Sequence, residues 1–321
     1  MNLFSINEKY QAGSITKPHY IDEMHSVHRT LFDYAEFIRH TDIARIEITD
    51  GLVVMTSRAA GIKVMCDPVD KRIAPIEILN FGRYEADEME MILKLIEPGD
   101  NVLDIGANVG WHSLNIAKRF ADVNVYAFEP VLASFNYLKT NVELNALPNI
   151  HPYDFGLSDH EGELVLYYQR DGAGSVNASA VNLSETDDVC QVTCTVKTLD
   201  GFRRESGLRA DFIKCDVEGA ELFVYRGALQ CLTHDAPIVF TEMLRKWAAK
   251  FGYHPNEIIQ LFAGIGYRCF VLCGNSLTEF REMDDETMDT NFFFLHAEKH
   301  APKIEAVVGS SQTSRLLPPE A

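Results

Sequence analysis

The sequence predicts a doubly wound α/β protein: a mostly parallel, seven-stranded sheet with helices on both faces, preceded by an amino-terminal α/β extension. Three observations carry this. Short, continuous apolar runs alternate with helical patterns through the middle of the chain, as in a parallel sheet covered on both sides. One such run, "NVLDI", opens through a glycine-rich turn into a helix, Asn101 to Phe120. Acidic residues collect at the ends of the apolar runs, where ligand sites fall in open α/β sheets.

In chain order, residues 1–83 read as the extension. "HSVHRTLFDYAEFIRH" has apolar residues at helical spacing. "ARIEITDGLVVMTS" reads as two strands joined by Asp50-Gly51, a pair suited to a two-residue hairpin turn, and "GIKVMCDP" as a third strand. Residues 84–298 hold the main domain. "EADEMEMILKLI" is an amphipathic helix with acids at its start, which suits the positive end of a helix dipole. The strands "NVLDI", "VNVYAFE", "DFIKCDV" and "PIVFTEM" alternate with "HSLNIAKRF", "ASFNYLKTNVELN" and "AELFVYRGALQCL" as helices. "GELVLYYQR" and "CQVTCTVKTL" look like an inserted hairpin pair, with "GAGSVN", Gly172 to Asn177, as a connector or a gating loop. The helix "NEIIQLFAGIG" precedes two final strands, "YRCFVL" and "TNFFFLHA". Residues 299–321 carry Pro, Ser and Gly without a period and read as a flexible tail.

Composition narrows the function. Hydrophobic residues make up 46% of the 321, enough for a sizeable core. The net charge of −18 argues against nucleic acid or an anionic membrane as partner, since both are polyanions. The seven cysteines are odd in number and form no C-x-x-C pair, so reduced thiols in a cytoplasmic protein are expected. The first residues lack the pattern of a signal peptide, and no apolar run is long enough for a membrane span.

The turn narrows it further. Asp104, Gly106, Asn108 and Gly110 give D-x-G-x-x-x-G. A P-loop needs Gly-Lys-Ser/Thr, but Trp111 and His112 follow Gly110, and the dinucleotide spacing G-x-G-x-x-G is absent. Asp104 sets a carboxylate where a pyrophosphate would sit, so a cationic ligand is favoured. Glu129 ends the next strand, where an acid accepts hydrogen bonds from ribose hydroxyls. S-adenosyl-L-methionine, with a sulfonium, an amino end and a ribose, answers both.

"DIGANVG", "FEP", "FIKCDVEGAE" and "TEM" resemble the FkbM-type methyltransferases, a family of class I S-adenosylmethionine-dependent enzymes with a Rossmann-like sheet. The resemblance covers about half the chain, from Phe81 to Glu242. It implies that Asp104, Gly106, Asn108 and Gly110 surround the methionine part and that Glu129 holds the ribose. It further implies that Asp154, in "YDFGLSD", touches adenine and that Tyr84 and Glu85, in "GRYEADE", close over the cofactor. The family often carries Tyr or Phe where Trp111 stands. The acceptor it implies is a hydroxyl on a sugar or sugar-bearing small metabolite.

Lys214, Asp216 and Glu218 occupy alternate positions of an otherwise apolar strand and so share one side, with Glu242 ending the next strand. Methyl transfer to a hydroxyl needs a proton acceptor in reach. Asp216, Glu218 and Glu242 are the candidates, with Lys214 steadying charge and Asp216 also facing the cofactor. A divalent cation on Asp216 and Glu242 is an alternative, since magnesium often uses only one or two carboxylates. An ion-pair network with no chemistry is another. His112 suits either the site or a packing layer, and Trp247 either a sugar platform or helix packing. A nicotinamide-dependent oxidoreductase and a non-catalytic cofactor-binding protein remain as rivals. The oligomeric state, a homo-oligomer included, is open.

Overall fold

The computed structural model describes residues 2–169, 178–182 and 189–309. The chain begins with three helices, α1 (Leu3–Gln11), α2 (Lys17–His28) and α3 (Thr30–Phe37). Asn2 and Thr16 cap the first two by accepting backbone N–H groups with their side chains. The single helix expected over His25 to His40 is broken at Arg29. A small antiparallel sheet follows, of β1 (Ile43–Thr49), β2 (Leu52–Ser57) and β3 (Lys63–Cys66). Its first hairpin turns at Asp50 and Gly51, both at positive φ. Two helices, α4 (Ala74–Phe81) and α5 (Ala86–Leu95), lead into the main sheet. In α5, Asp87 and Glu88 stand in the first turn and Lys94 in the last, each complementing the dipole.

The alternating part then runs β4 (Asn101–Ile105), α6 (Trp111–Arg119), β5 (Asn124–Phe128), α7 (Leu132–Asn145) and β6 (Ile150–Tyr153). The insertion is β7 (Gly156–Leu157), β8 (Gly162–Gln169) and β9 (Val189–Lys197), a separate sheet in the order β7-β9-β8. After α8 (Leu199–Ser206) come β10 (Phe212–Cys215), α9 (Glu221–Arg226), β11 (Ile238–Glu242), α10 (Arg245–Ala248) and α11 (Asn256–Gly264). The chain closes with β12 (Tyr267–Cys273), β13 (Ser276–Phe280), β14 (Asn291–His296) and α12 (Ala301–Val307).

The main sheet has the order β13-β12-β14-β11-β10-β4-β5-β6. Strands β6, β5, β4, β10 and β11 are parallel, and β14 enters antiparallel to β11. Side chains alternate between two cores: Val102, Phe212 and Phe240 pack on one face, Leu103, Ile213 and Val239 on the other. Strand order reverses about β4, so a crevice opens where β4 and β10 end side by side.

Two expectations are corrected. The sheet has eight strands rather than seven, because "SLTEF" folds back from β12 as an edge strand. The tail expected from Lys299 begins instead with α12, whose Ile304 is buried; Pro302 sits in its first turn, where a missing N–H costs nothing. The rest of that tail, from residue 310, and "GAGSVN" lie outside the described residues. Among the described residues no helix is long and apolar enough to cross a membrane.

Candidate functional site

The turn after β4 is held by contacts that the glycines make possible. Gly106 lies at φ +76°, and a Cβ there would stand 1.9 Å from the Asp216 carbonyl oxygen, inside its van der Waals shell. Gly110 lies at φ +90°, with Leu138 of α7 where its Cβ would go. Both glycines therefore admit neighbouring protein. The backbone amides are also spent internally. Gly106 and Ala107 donate to the Phe128 carbonyl, Gly110 donates to Ala107, and Asn108 donates to Glu129 Oε2 at 2.9 Å. The nest of free N–H groups that a phosphate requires is not present in these four amides.

Asp104 is fully buried. Its Oδ2 accepts from the Ser113 hydroxyl at 2.6 Å and the Ser113 N–H at 3.2 Å, and its Oδ1 lies 3.3 Å from Lys214 Nζ. Burial opposes its ionisation, yet Lys214, His112 and Ser113 outweigh burial and hold its carboxyl below the usual range. Lys214 also donates to the Gly106 carbonyl at 2.8 Å and stands 3.9 Å from Asp216 Oδ2. Burial disfavours its charge, but Asp104, Asp216 and Glu85 keep its pKa above the ordinary value. Lys214 is a pin between the turn and the end of β10.

Glu129 is the contrast. Its oxygens accept from the amides of Asn108 and Val131, and burial pushes its carboxyl up to about 7. It lines a cleft with Gly106, Asn108, Asp216, Val217 and Glu218. Asn108 Oδ1 and Asp216 Oδ1 are buried there without a protein hydrogen-bond partner.

A second group gathers at the carboxyl ends of β10 and β11. Burial, then Asp216 and Glu221, lift Glu218 to about 8. Burial, then Asp216 and Glu218, lift Glu242 to about 9. Asp216 is raised by burial and by Glu85, with Lys214 opposing. Glu218 stands at φ +53° on a turn nailed in place by Glu221: Glu221 Oε1 accepts from Val217 and Gly219, and Tyr253 OH lies 3.3 Å from Oε2. At the mouth, Glu85 Oε2 lies 3.2 Å from His112 Nε2, and the Tyr84 ring meets Trp111 edge-on. Burial opposes Glu85 ionisation, but His112, Lys214 and Tyr84 hold it below its ordinary value. Burial, then Glu85 and Asp216, raise Tyr84 well above its own.

A family model described as the Methyltransferase FkbM domain matches residues 104–269, a little over half of the chain. The chain belongs to the FkbM methyltransferase family. It is an S-adenosylmethionine-dependent methyltransferase, and its central sheet is the Rossmann-like α/β form. Among curated relatives, Methyltransferase 1 of Beauveria bassiana is 26% identical over 204 residues, covering 58% of this chain and 75% of that one. The hexuronic acid methyltransferase AglP of Haloferax volcanii is 30% identical over 154 residues, covering 47% of this chain and 59% of AglP. Methyltransferase sdnD of Sordaria araneosa is 32% identical over 153 residues, covering 39% and 59%.

In this FkbM protein the structure brings together Tyr84, Glu85, Asp104, Lys214, Asp216, Glu218 and Glu242 at one crevice, with Glu129 beside it. Asp154 does not join them. It is exposed and outside the cleft lining, because β6 ends at Tyr153 and the chain turns outward there. Trp247 packs under the turn at Gly219, where a Cβ on that glycine would stand 2.9 Å from the Trp247 Cβ. Its ring carries Lys246 at 4.3 Å and Lys250 at 5.6 Å. Sequence reasoning passed over Ser113, which holds Asp104, and Glu221, the last acid of "DVEGAE". It left His112 undecided; the structure buries it against Glu85 and Phe240. Among the described residues no group of three or more metal-capable side chains is set to hold an ion.

Proposed function

We propose that this methyltransferase acts on a hydroxyl of a sugar or sugar-bearing small metabolite. The cofactor pocket is the crevice at the ends of β4, β5 and β10. The orphaned oxygen of Asn108 and the carboxylate of Glu129 are both acceptors. Such a set suits the ammonium end and the ribose hydroxyls of S-adenosylmethionine, and Glu129 would hold the ribose. When bound, the cofactor supplies an electrophilic methyl group on a sulfonium.

The chain's own residues divide the remaining work. Asp216 is the carboxylate next to the Lys214 cation, which favours its charged form against the burial that raises it. It is the general base for the acceptor hydroxyl. Glu218 and Glu242, raised to about 8 and about 9, carry protons at neutral pH and donate hydrogen bonds to acceptor oxygens. Lys214, pinned to Gly106, fixes Asp216 against the turn. A surface that both accepts and donates suits a polyhydroxyl acceptor. The relative AglP, a hexuronic acid methyltransferase, supports the sugar class. The seven free cysteines support a reducing, cytoplasmic setting.

The observation that carries this reading is the unpartnered Asp216 carboxyl oxygen between the cofactor turn and Glu242. Replacing Asp216 by Asn tests it. Turnover on an accepted sugar should fall by about 10² to 10⁴, the range for loss of a general base. Affinity for S-adenosylhomocysteine should fall far less. Wild-type turnover in the variant removes Asp216 from the base role.

A further inference from the structure

The amino-terminal extension carries a second cavity, of about 590 Å³, that shares no residue with the cofactor cleft. Small-molecule sites run from about 300 to 1,000 Å³ and are mostly apolar. Val53 and Cys66 are cross-strand partners on β2 and β3, and Met55 stands two residues on from Val53, so the three share a sheet face and line the cavity. Ile76 and Asn80, four apart on one side of α4, line it too, as does Tyr137 of α7. We propose that this cavity takes the apolar aglycone of the acceptor, the group to which the methylated sugar is attached. This rests on the reading that the acceptor is sugar-bearing.

The walls suit an apolar body. Met55 is buried, while Leu52 and Val53 are 41% and 36% exposed, so a ligand there removes their apolar surface from water. The thioether of Met55 adapts to ligands of varied outline. The acids of the adjoining loop are engaged in holding it. Asp67 Oδ1 accepts from the amides of Val69 at 2.7 Å and Asp70 at 3.2 Å. Asp70 Oδ1 accepts from the amides of Arg72 at 2.8 Å and Ile73 at 3.0 Å. The Tyr137 hydroxyl donates to Asp67 and ties the loop to α7. The cavity is therefore bounded by a fixed loop rather than by a loose one.

Two stretches of chain join this cavity to the acceptor acids. Lys71 lines it, and Arg72, the next residue, stands close enough to Glu218 for its charge to favour the ionised glutamate. Helix α4 lines it, and just beyond its capping Gly82 come Tyr84 and Glu85 at the mouth of the crevice. A sugar at Asp216 that extends its aglycone past Arg72 meets the cavity next. A bare sugar leaves Leu52 and Val53 in water.

The test separates aglycone from sugar. Wild type, Val53→Trp and Asn80→Trp are titrated with 2-naphthol in the presence of S-adenosylhomocysteine. They are then assayed on a panel of sugars, each as its methyl and its 2-naphthyl glycoside. Both substitutions start from exposed positions on the lining, so the fold should tolerate them. Wild type should bind the naphthol and show a KM at least about tenfold lower for a naphthyl glycoside than for the methyl glycoside of the same sugar. Both variants should lose the naphthol and that preference, yet keep kcat on methyl glycosides and affinity for S-adenosylhomocysteine. Variants that fold and bind the naphthol within about twofold of wild type overturn the proposal. So do equal KM values for the two glycosides in wild type. A wild-type protein that binds no naphthol overturns it as well, and a change of sedimentation in Val53→Trp would then assign the face to a second copy. Naphthol binding that both variants lose, with no glycoside of either kind methylated, overturns the sugar reading and leaves the cavity as the site for an apolar acceptor.

Discussion

Asp104 and Glu129 sit near the ends of neighbouring parallel strands, and both are buried carboxyls. Their environments drive them apart. Asp104 has a lysine and a serine, and its carboxyl is held below the usual range. Glu129 has two amides and no cation in contact, and burial raises it to about 7. The sequence offered both as ligand acceptors. The structure shows that Asp104 spends its charge inside the protein, on the pin that joins the turn to β10. Glu129 faces the cleft.

The strongest way to break this contrast is Asp104→Ala. It strands Lys214 as a buried cation whose remaining ion-pair partner is Asp216, 3.9 Å away, and losing one partner of a buried pair costs about 3 to 5 kcal/mol. Chemical denaturation should show that loss. A stability within about 0.5 kcal/mol of wild type would mean that Asp104 is free for a ligand after all.

The pH dependence sharpens the other half. Glu129's folded pKa lies above its ordinary value, so the folded state holds more protons between roughly pH 4.5 and about 7. The stability contribution of this group is therefore lost as pH rises through that window. Ribose hydroxyls donate to the ionised form, so cofactor affinity moves the other way. Binding of S-adenosylhomocysteine should strengthen several-fold from about pH 6 to about pH 8 and then level off. A flat profile would place Glu129 away from the ribose.

The smallest effect is expected at Asp154. Its exposure predicts that Asp154→Ala leaves both stability and cofactor affinity unchanged, within about 0.5 kcal/mol. A tenfold loss of affinity would restore the adenine contact that the sequence suggested.

The same pair shows how far the sequence could be read. Glu129's place at the cleft was legible because it depends on local order: an apolar strand, its end, and the preceding glycine turn. The alternation of strands and helices was legible for the same reason. Asp104's true partners were not, because Lys214 reaches it only through the pairing of β10 with β4. His112 acquires meaning from Glu85, and Ser179 from Glu218, across distances that no periodicity encodes. Glu221 was passed over in the sequence, and only the folded turn shows it gathering two amides. The short elements β13 and α12 escaped because one strand edge and two helical turns carry too few residues for a period to register.

Calorimetric titration of S-adenosylhomocysteine into Glu129→Gln, with thermal unfolding followed on the same samples, tests the central claim most directly. A charge-assisted hydrogen bond is worth about 1.5 to 3 kcal/mol, so affinity should fall by about tenfold to a hundredfold while the fold survives. Affinity equal to wild type would contradict the account, since the acid that ends the second strand would then hold no ribose.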